Sequence, residues 1–147
     1  MKKLNMLLLS LMFLAQFSYA QDIPQREVPS LVLNSFKQLF PKALDVEWEI
    51  RGEDYVVEFE NIFGDDHKAW FNPTGKLLKH KQEIRVSQLP DVVRASIKND
   101  FKGYRIDSAE KIQAENSVTY KVEVETLFDE WEAIYSEDGK LLEKWRD

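Results

Sequence analysis

From Val28 onward this chain is an internal duplication, and a duplication narrows the possible folds more than any local propensity does, because each half must build the same elements. Pro29, Val32, Ser35, Lys37 and Phe40 match Pro90, Val93, Ser96, Lys98 and Phe101 at a constant offset of 61. Tyr55, Val57, Glu58 and Glu60 match Tyr120, Val122, Glu123 and Glu125 at 65. Ala69, Gly75, Lys76, Leu77 and Leu78 match Ala133, Gly139, Lys140, Leu141 and Leu142 at 64. The offset changes only between these blocks, so the length differences fall in loops.

Each copy opens on a proline, a helix-start signal because its missing N–H would be unpaired there anyway. Asp91 adds a charge that suits a helix N-terminus. Val32, Phe36, Leu39 and Phe40, and in the second copy Val93, Ile97 and Phe101, lie on one helical face. Phe40-Pro41 and Lys102-Gly103 end the helices. The apolar period then becomes two. Val46, Trp48 and Ile50 alternate with Asp45, Glu47 and Glu49, and Tyr55, Val57 and Phe59 alternate with acids except at Val56. Tyr120, Val122 and Val124 alternate with Lys121, Glu123 and Glu125. That is the pattern of half-buried antiparallel strands. Asn72-Pro73-Thr74-Gly75 and Glu137-Asp138-Gly139 read as turns between strands. The register of Tyr104 to Ile112 does not follow from the pattern.

The expected class is therefore α+β: two tandem α-β-β-β-β repeats forming one antiparallel sheet, with both helices packed on one face. Only Ile84 to Gln88 joins the copies, too short for a flexible linker. Repeat 1 is expected over 28–84 and repeat 2 over 85–147, fused into one domain, with 21–27 as an N-terminal extension. Residues 1–20 read as a secretory signal peptide: Lys2 and Lys3, an apolar run from Leu4 to Phe17, then Ser18-Tyr19-Ala20 with cleavage expected after Ala20. The run is short for a membrane span, which needs about 20 residues. A periplasmic or secreted location follows, with no membrane anchor in the mature chain.

Removing the leader takes away two lysines and no acid, leaving 18 basic against 26 acidic residues, a net charge of −8. That balance repels phosphate backbones and excludes nucleic acid as a natural partner. There is no cysteine, so thiol catalysis and thiolate metal sites are excluded and the exported chain relies on packing.

A VP/LP start, an amphipathic helix ending near FP, a WE strand, a YxVEF-type strand and a GKLL hairpin end, all repeated, resemble the PepSY-like family of exported bacterial proteins. Those proteins are similar in fold to the beta-lactamase inhibitor protein. The resemblance spans about residues 28 to 147. It implies a binding function, since the inhibitor that gives the fold its name grips an enzyme with its open, concave sheet face. This chain lacks the disulfides of that inhibitor's units, and no single contact residue carries over. What carries over is which face binds.

Nothing in the residues points to catalysis, a cofactor or a metal site. No serine lies in a Gly-x-Ser-x-Gly elbow and there is no glycine-rich phosphate loop. His67, after Gly64-Asp65-Asp66, reads as part of a solvated turn, and His80, in Lys79-His80-Lys81, as exposed. The candidate partner-binding set is the polar sheet face: Glu47, Glu49, Glu58 and Glu60 on adjacent strands, and Glu123, Glu125 and Glu132 in the second copy. Carboxylates opposite one another repel. They are tolerated when solvated, when balanced by Lys68, Lys79, Lys81 and Lys121, or when a cation or basic partner sits on them. Ala69 and Phe71 match Ala133 and Tyr135 and should be buried, which turns Trp70 and Ile134 to the open side and adds both to the candidate partner-binding set, with Trp70 as its anchor. Trp48 and Trp131 are in phase with the apolar set and should be core. The expected function is to bind, or to inhibit or modulate, another envelope protein through the open sheet face, and the competing reading is a small-ligand or divalent-cation binder using the acidic face.

Overall fold

Every strand pairs antiparallel with the next strand in sequence in this computed structural model, which describes residues 21–146. The expected leader and its cleavage site lie outside the described residues. The first copy comprises helix α1 (Ser30–Leu39) and strands β2 (Leu44–Arg51), β3 (Asp54–Glu60), β4 (Asp66–Phe71) and β5 (Leu77–Glu83). The second comprises α2 (Asp91–Asp100), β6 (Arg105–Ala114), β7 (Ser117–Glu125), β8 (Glu130–Ser136) and β9 (Leu141–Arg146). A further strand, β1 (Gln21–Ile23), pairs with β2 at the edge. It lies in the N-terminal extension, and three residues are too few to show a period. Two helices lie on one face of the nine-stranded sheet.

Pro29 and Pro90 stand just before the helices, and their carbonyls accept the first helical bonds, from Leu33 and Arg94, both at 3.0 Å. Beneath α1, Val32 and Phe36 pack on Trp48, Val57, Phe59, Ala69 and Phe71. The Phe36 ring meets those of Trp48 and Phe59 edge-on, each at 5.2 Å. Beneath α2, Val93 and Ile97 pack on Ala109, Tyr120, Val122, Val124, Ala133 and Tyr135. Leu39 departs from the expected stripe and is 51% exposed. Each copy thus owns a core, and the β5–β6 ladder, with Lys81 opposite Ile112, continues the sheet between them.

The two hairpin glycines explain two matched serines. An added Cβ on Gly75 would come 2.7 Å from the Leu31 carbonyl and 2.8 Å from Ser35 Oγ. On Gly139 it would come 2.9 Å from Ser96 Oγ. In both copies the β-turn presses its backbone onto the helix, so the sequence keeps Gly on one side and Ser on the other. Both glycines also adopt φ +84, which favours a residue without Cβ.

The structure supplies the register of the first strand of copy two. A bulge between Ile106 and Ser108 lets Ile106, opposite Val124, and Ala109, opposite Val122, both face the helices. A matching bulge lies between Leu44 and Glu47 in β2. One extra residue breaks the period of two, which is why alternation could not place this strand.

Candidate functional site

Among the described residues no helix covers the other face of the sheet, and cross-strand pairing lays its side chains out in rows. One row runs Asp22, Glu49, Val56, Trp70, Lys79 and Ala114. The next runs Glu47, Glu58, Lys68, Lys81 and Ile112. Ala69, Phe71, Ala133 and Tyr135 are fully buried beneath the helices, so Trp70 and Ile134 fall on the open side. Both are half-buried. The Trp70 indole is capped by Lys79 at 4.6 Å and Lys68 at 5.7 Å from its ring, and Val56 beside it is completely covered. Trp145, at the far edge, lies under Lys121 at 5.6 Å.

The expected carboxylate ladder divides into two kinds of residue. Glu49 is held by Arg51 at 2.7 Å and Lys68 at 3.0 Å. Burial pushes its carboxyl up, but the hydrogen bonds from Lys68 and Arg51 outweigh that and hold it below the usual range. Lys68 also bonds Glu58, Lys81 bonds Glu110 at 2.7 Å, and Lys121 bonds Glu132 at 2.5 Å. Glu125 pairs with Arg105, and Glu123 accepts a long hydrogen bond from Ser108. Asp45, Glu47, Glu60 and Glu83 make no ion pair among the described residues.

These unpaired acids converge. Where β3 and β5 end, a groove of about 420 Å³ is lined by Asp45, Glu47, Glu58, Glu60, Asp66, Glu83 and Glu110. Among the described residues, Lys68 and Lys81 alone oppose those seven carboxylates, with Phe59, His67 and Ser108 completing the wall. Three like-charged pairs face each other directly across strands here: Glu47 with Glu58, Glu60 with Asp66, and Glu83 with Glu110. Such oppositions destabilise a free sheet and are relieved by a cationic group between them. Further along the sheet, Asp107, Glu123 and Glu125 bring ligand atoms within 4.8 Å of one another, though Arg105 already bonds Asp107 and Glu125.

Two features at the same end of the sheet escaped the sequence reading. The β3–β4 turn exposes Ile62 at 55% and Phe63 at 79%, and the β7–β8 turn exposes Leu127 and Phe128 at 92% each. Both turns are stiffened. Asn61 Oδ1 accepts the backbone N–H groups of Phe63 at 2.8 Å and Asp65 at 3.1 Å. Asp129 Oδ2 accepts from Tyr104 at 2.5 Å and Trp131 at 2.9 Å, while Arg146 holds Oδ1. Those bonds, Tyr104 first, hold the Asp129 carboxyl below its usual range. Extending the 65-residue offset past Glu60 and Glu125 pairs Ile62-Phe63 with Leu127-Phe128, the signal that would have found them.

The histidines correct two expectations. His67 lies on β4, not in the turn, and His80 on β5 is 9% exposed, a buried polar residue among apolar ones. Both project under α1. Charged neighbours at Lys79 and Lys81 made His80 look solvated, but in a strand they occupy the opposite face.

The family described as "Putative beta-lactamase-inhibitor-like, PepSY-like" matches residues 18–79 and again residues 59–143. A search of curated proteins finds no match. Among solved structures, a BLIP-like protein from Bacteroides fragilis is 23% identical, with a TM-score of 0.69, covering 84% of this chain and 87% of its own. A DUF2874 family protein from Bacteroides uniformis is 20% identical with a TM-score of 0.70, covering 80% of this chain and 88% of its own. A protein from Bacteroides eggerthii described as "putative periplasmic" is 17% identical with a TM-score of 0.72, covering 81% and 88%. At these identities the likeness is one of fold. Among the described residues, no helix is long and apolar enough to cross a membrane.

Proposed function

Since the chain belongs to the PepSY-like, beta-lactamase-inhibitor-like family, we propose that it is an exported, non-enzymatic binding module that engages another envelope protein through its open sheet face. The observation that carries this reading is the crowding of unpaired acids and rigid apolar tips at one end of that face. A basic side chain from a partner would relieve the repulsion in the groove, while Phe63 and Phe128 offer stiff aromatic anchors that lose little entropy on docking. Trp70 is the further anchor, once its lysines turn outward. The partner this chemistry fits is a protein surface bearing Lys or Arg beside apolar hollows.

The experiment is capture from an envelope extract with the purified chain as bait. Wild type should retain a reproducible partner that Glu47→Lys/Glu60→Lys and Phe63→Ser/Phe128→Ser both lose, while the helix-side variant Leu39→Ser keeps it. If wild type retains nothing reproducible, or the open-face variants retain the same protein, the reading fails.

A competing reading places a divalent cation on Asp107, Glu123 and Glu125. Because Arg105 already neutralises two of them, millimolar calcium should leave the melting temperature unchanged. A rise would favour the cation, since a ligand of the folded state stabilises it.

A further inference from the structure

We propose that the mature chain begins at Gln21 and that this residue closes on itself to a pyroglutamyl lactam. The inference rests on the export reading, because cleavage after Ala20 is what would turn the Gln21 amide nitrogen into a free α-amine. The chemistry is then internal. The α-nitrogen attacks the side-chain Cδ, and a new C–N bond closes a five-membered ring. The bond from Cδ to the side-chain nitrogen breaks, the proton lost by the attacking nitrogen passes to the leaving group, and ammonia departs. No oxidant, reductant or co-reactant is required. An α-amine has an ordinary pKa of about 7.7–8.0, so near neutrality a useful fraction is the unprotonated nucleophile.

The structure shows why the closure is open to this residue and harmless to the fold. Gln21 is exposed at the edge of the sheet, opposite Ile50. Its side chain has no hydrogen-bond partner among the described residues, so nothing holds the amide away from its own backbone nitrogen. Two residues on, Ile23 is buried beside Trp48, opposite which it pairs. That pins β1, while the ring involves only atoms of Gln21. Closure would remove the one cationic group the mature terminus adds, next to Asp22 and Glu49. It would also leave no free amine for an aminopeptidase, protecting a strand only three residues long.

The test is the intact mass of the full chain, expressed with its leader and recovered from the envelope fraction, together with the mass of its first peptide. The expected species is residues 21–147 lighter by one ammonia. Gln21→Asn should begin at the same position and keep its full mass, because closure there would need a strained four-membered ring. A chain that begins at Gln21 but retains its ammonia after prolonged warm incubation at neutral pH overturns the lactam and leaves export standing. A chain retaining residues 1–20 overturns the export reading, and the lactam with it.

Discussion

The imidazoles of His67 and His80 lie stacked at an interplanar angle of 14°, with Nδ1 of the first 2.9 Å from Nε2 of the second. At that distance one ring donates and the other accepts, so at most one proton occupies the gap. Phe59 stacks on His67 at 5.0 Å and Phe40, at the end of α1, tilts over His80 at 4.9 Å. The contact itself tolerates one shared proton and is broken by two, while burial in the aromatic cage opposes even the first.

Acid should therefore destabilise the protein in a defined window. Burial first, then the charge of His67, pushes the His80 pKa from 6.5 down to about 4. Burial also lowers that of His67, against the pull of Asp65 and Asp66. Above about 6.5 the pair is neutral in both states and adds no pH dependence. As the pH falls from there toward 4, the unfolded chain binds protons that the folded one refuses, so stability drops; below that the contribution of His80 levels off. At about 1.4 kcal/mol per unit, the share of His80 is about 3 kcal/mol. Urea midpoints measured from pH 7 to pH 4 should show the loss, and His80→Leu should flatten it. An unchanged slope in that variant would refute the assignment. Asp129 and Glu49, held below the usual carboxylate range, begin to lose their contribution only at lower pH.

Gly75→Ala and Gly139→Ala should each destabilise by about 2 kcal/mol or more, since a Cβ meets the helix and the backbone is left-handed. Gly64→Ala is the control: its φ of +79 is as strained, but nothing lies within 4 Å. It should cost about 1 kcal/mol. Urea unfolding of the three variants decides this, and equal losses would mean that hairpin-to-helix contact is not what matters.

Phe36→Ala should be among the most damaging single changes. The ring touches those of Phe40, Trp48, Phe59 and Phe71. Its removal leaves a cavity under α1 worth about 3–5 kcal/mol, read from the shift in urea midpoint. Phe63→Ala, on an exposed turn, should change stability by less than about 0.5 kcal/mol.

Neutralising the groove should stabilise the free protein. Glu47→Gln with Glu60→Gln removes two unpaired charges that face Glu58 and Asp66, a gain of about 0.5–1 kcal/mol at low salt. The gain should shrink in molar salt, where screening already weakens the repulsion. Thermal melts at low and high salt test both points. A loss of stability would show that these acids are held by the fold rather than strained within it.

Much of this architecture is legible in the residues because burial imposes periods. The 3.6 and 2 repeats, doubled by the duplication, assign Phe71 and Tyr135 to the interior and Trp70 to the open side. What failed did so where a period is broken or too short: the bulge at Ile106–Ser108, the three residues of β1, and His80, whose neighbours in sequence lie on the opposite face. The candidate site was legible only as a list of acids. Which of them are spent on lysines and which remain unpaired depends on cross-strand register, and register is a relation between distant segments.

The sequence alone thus determined the two helices, the alternation of faces and the acidic character of the open side, because these are local consequences of where apolar groups recur. Only the tertiary structure decided that Glu49 is satisfied while Glu47, Glu60 and Glu83 share a groove, and that Phe63 and Phe128 project from the same end. Those outcomes hinge on pairing geometry across strands, where a one-residue slip would exchange every inward side chain for an outward one.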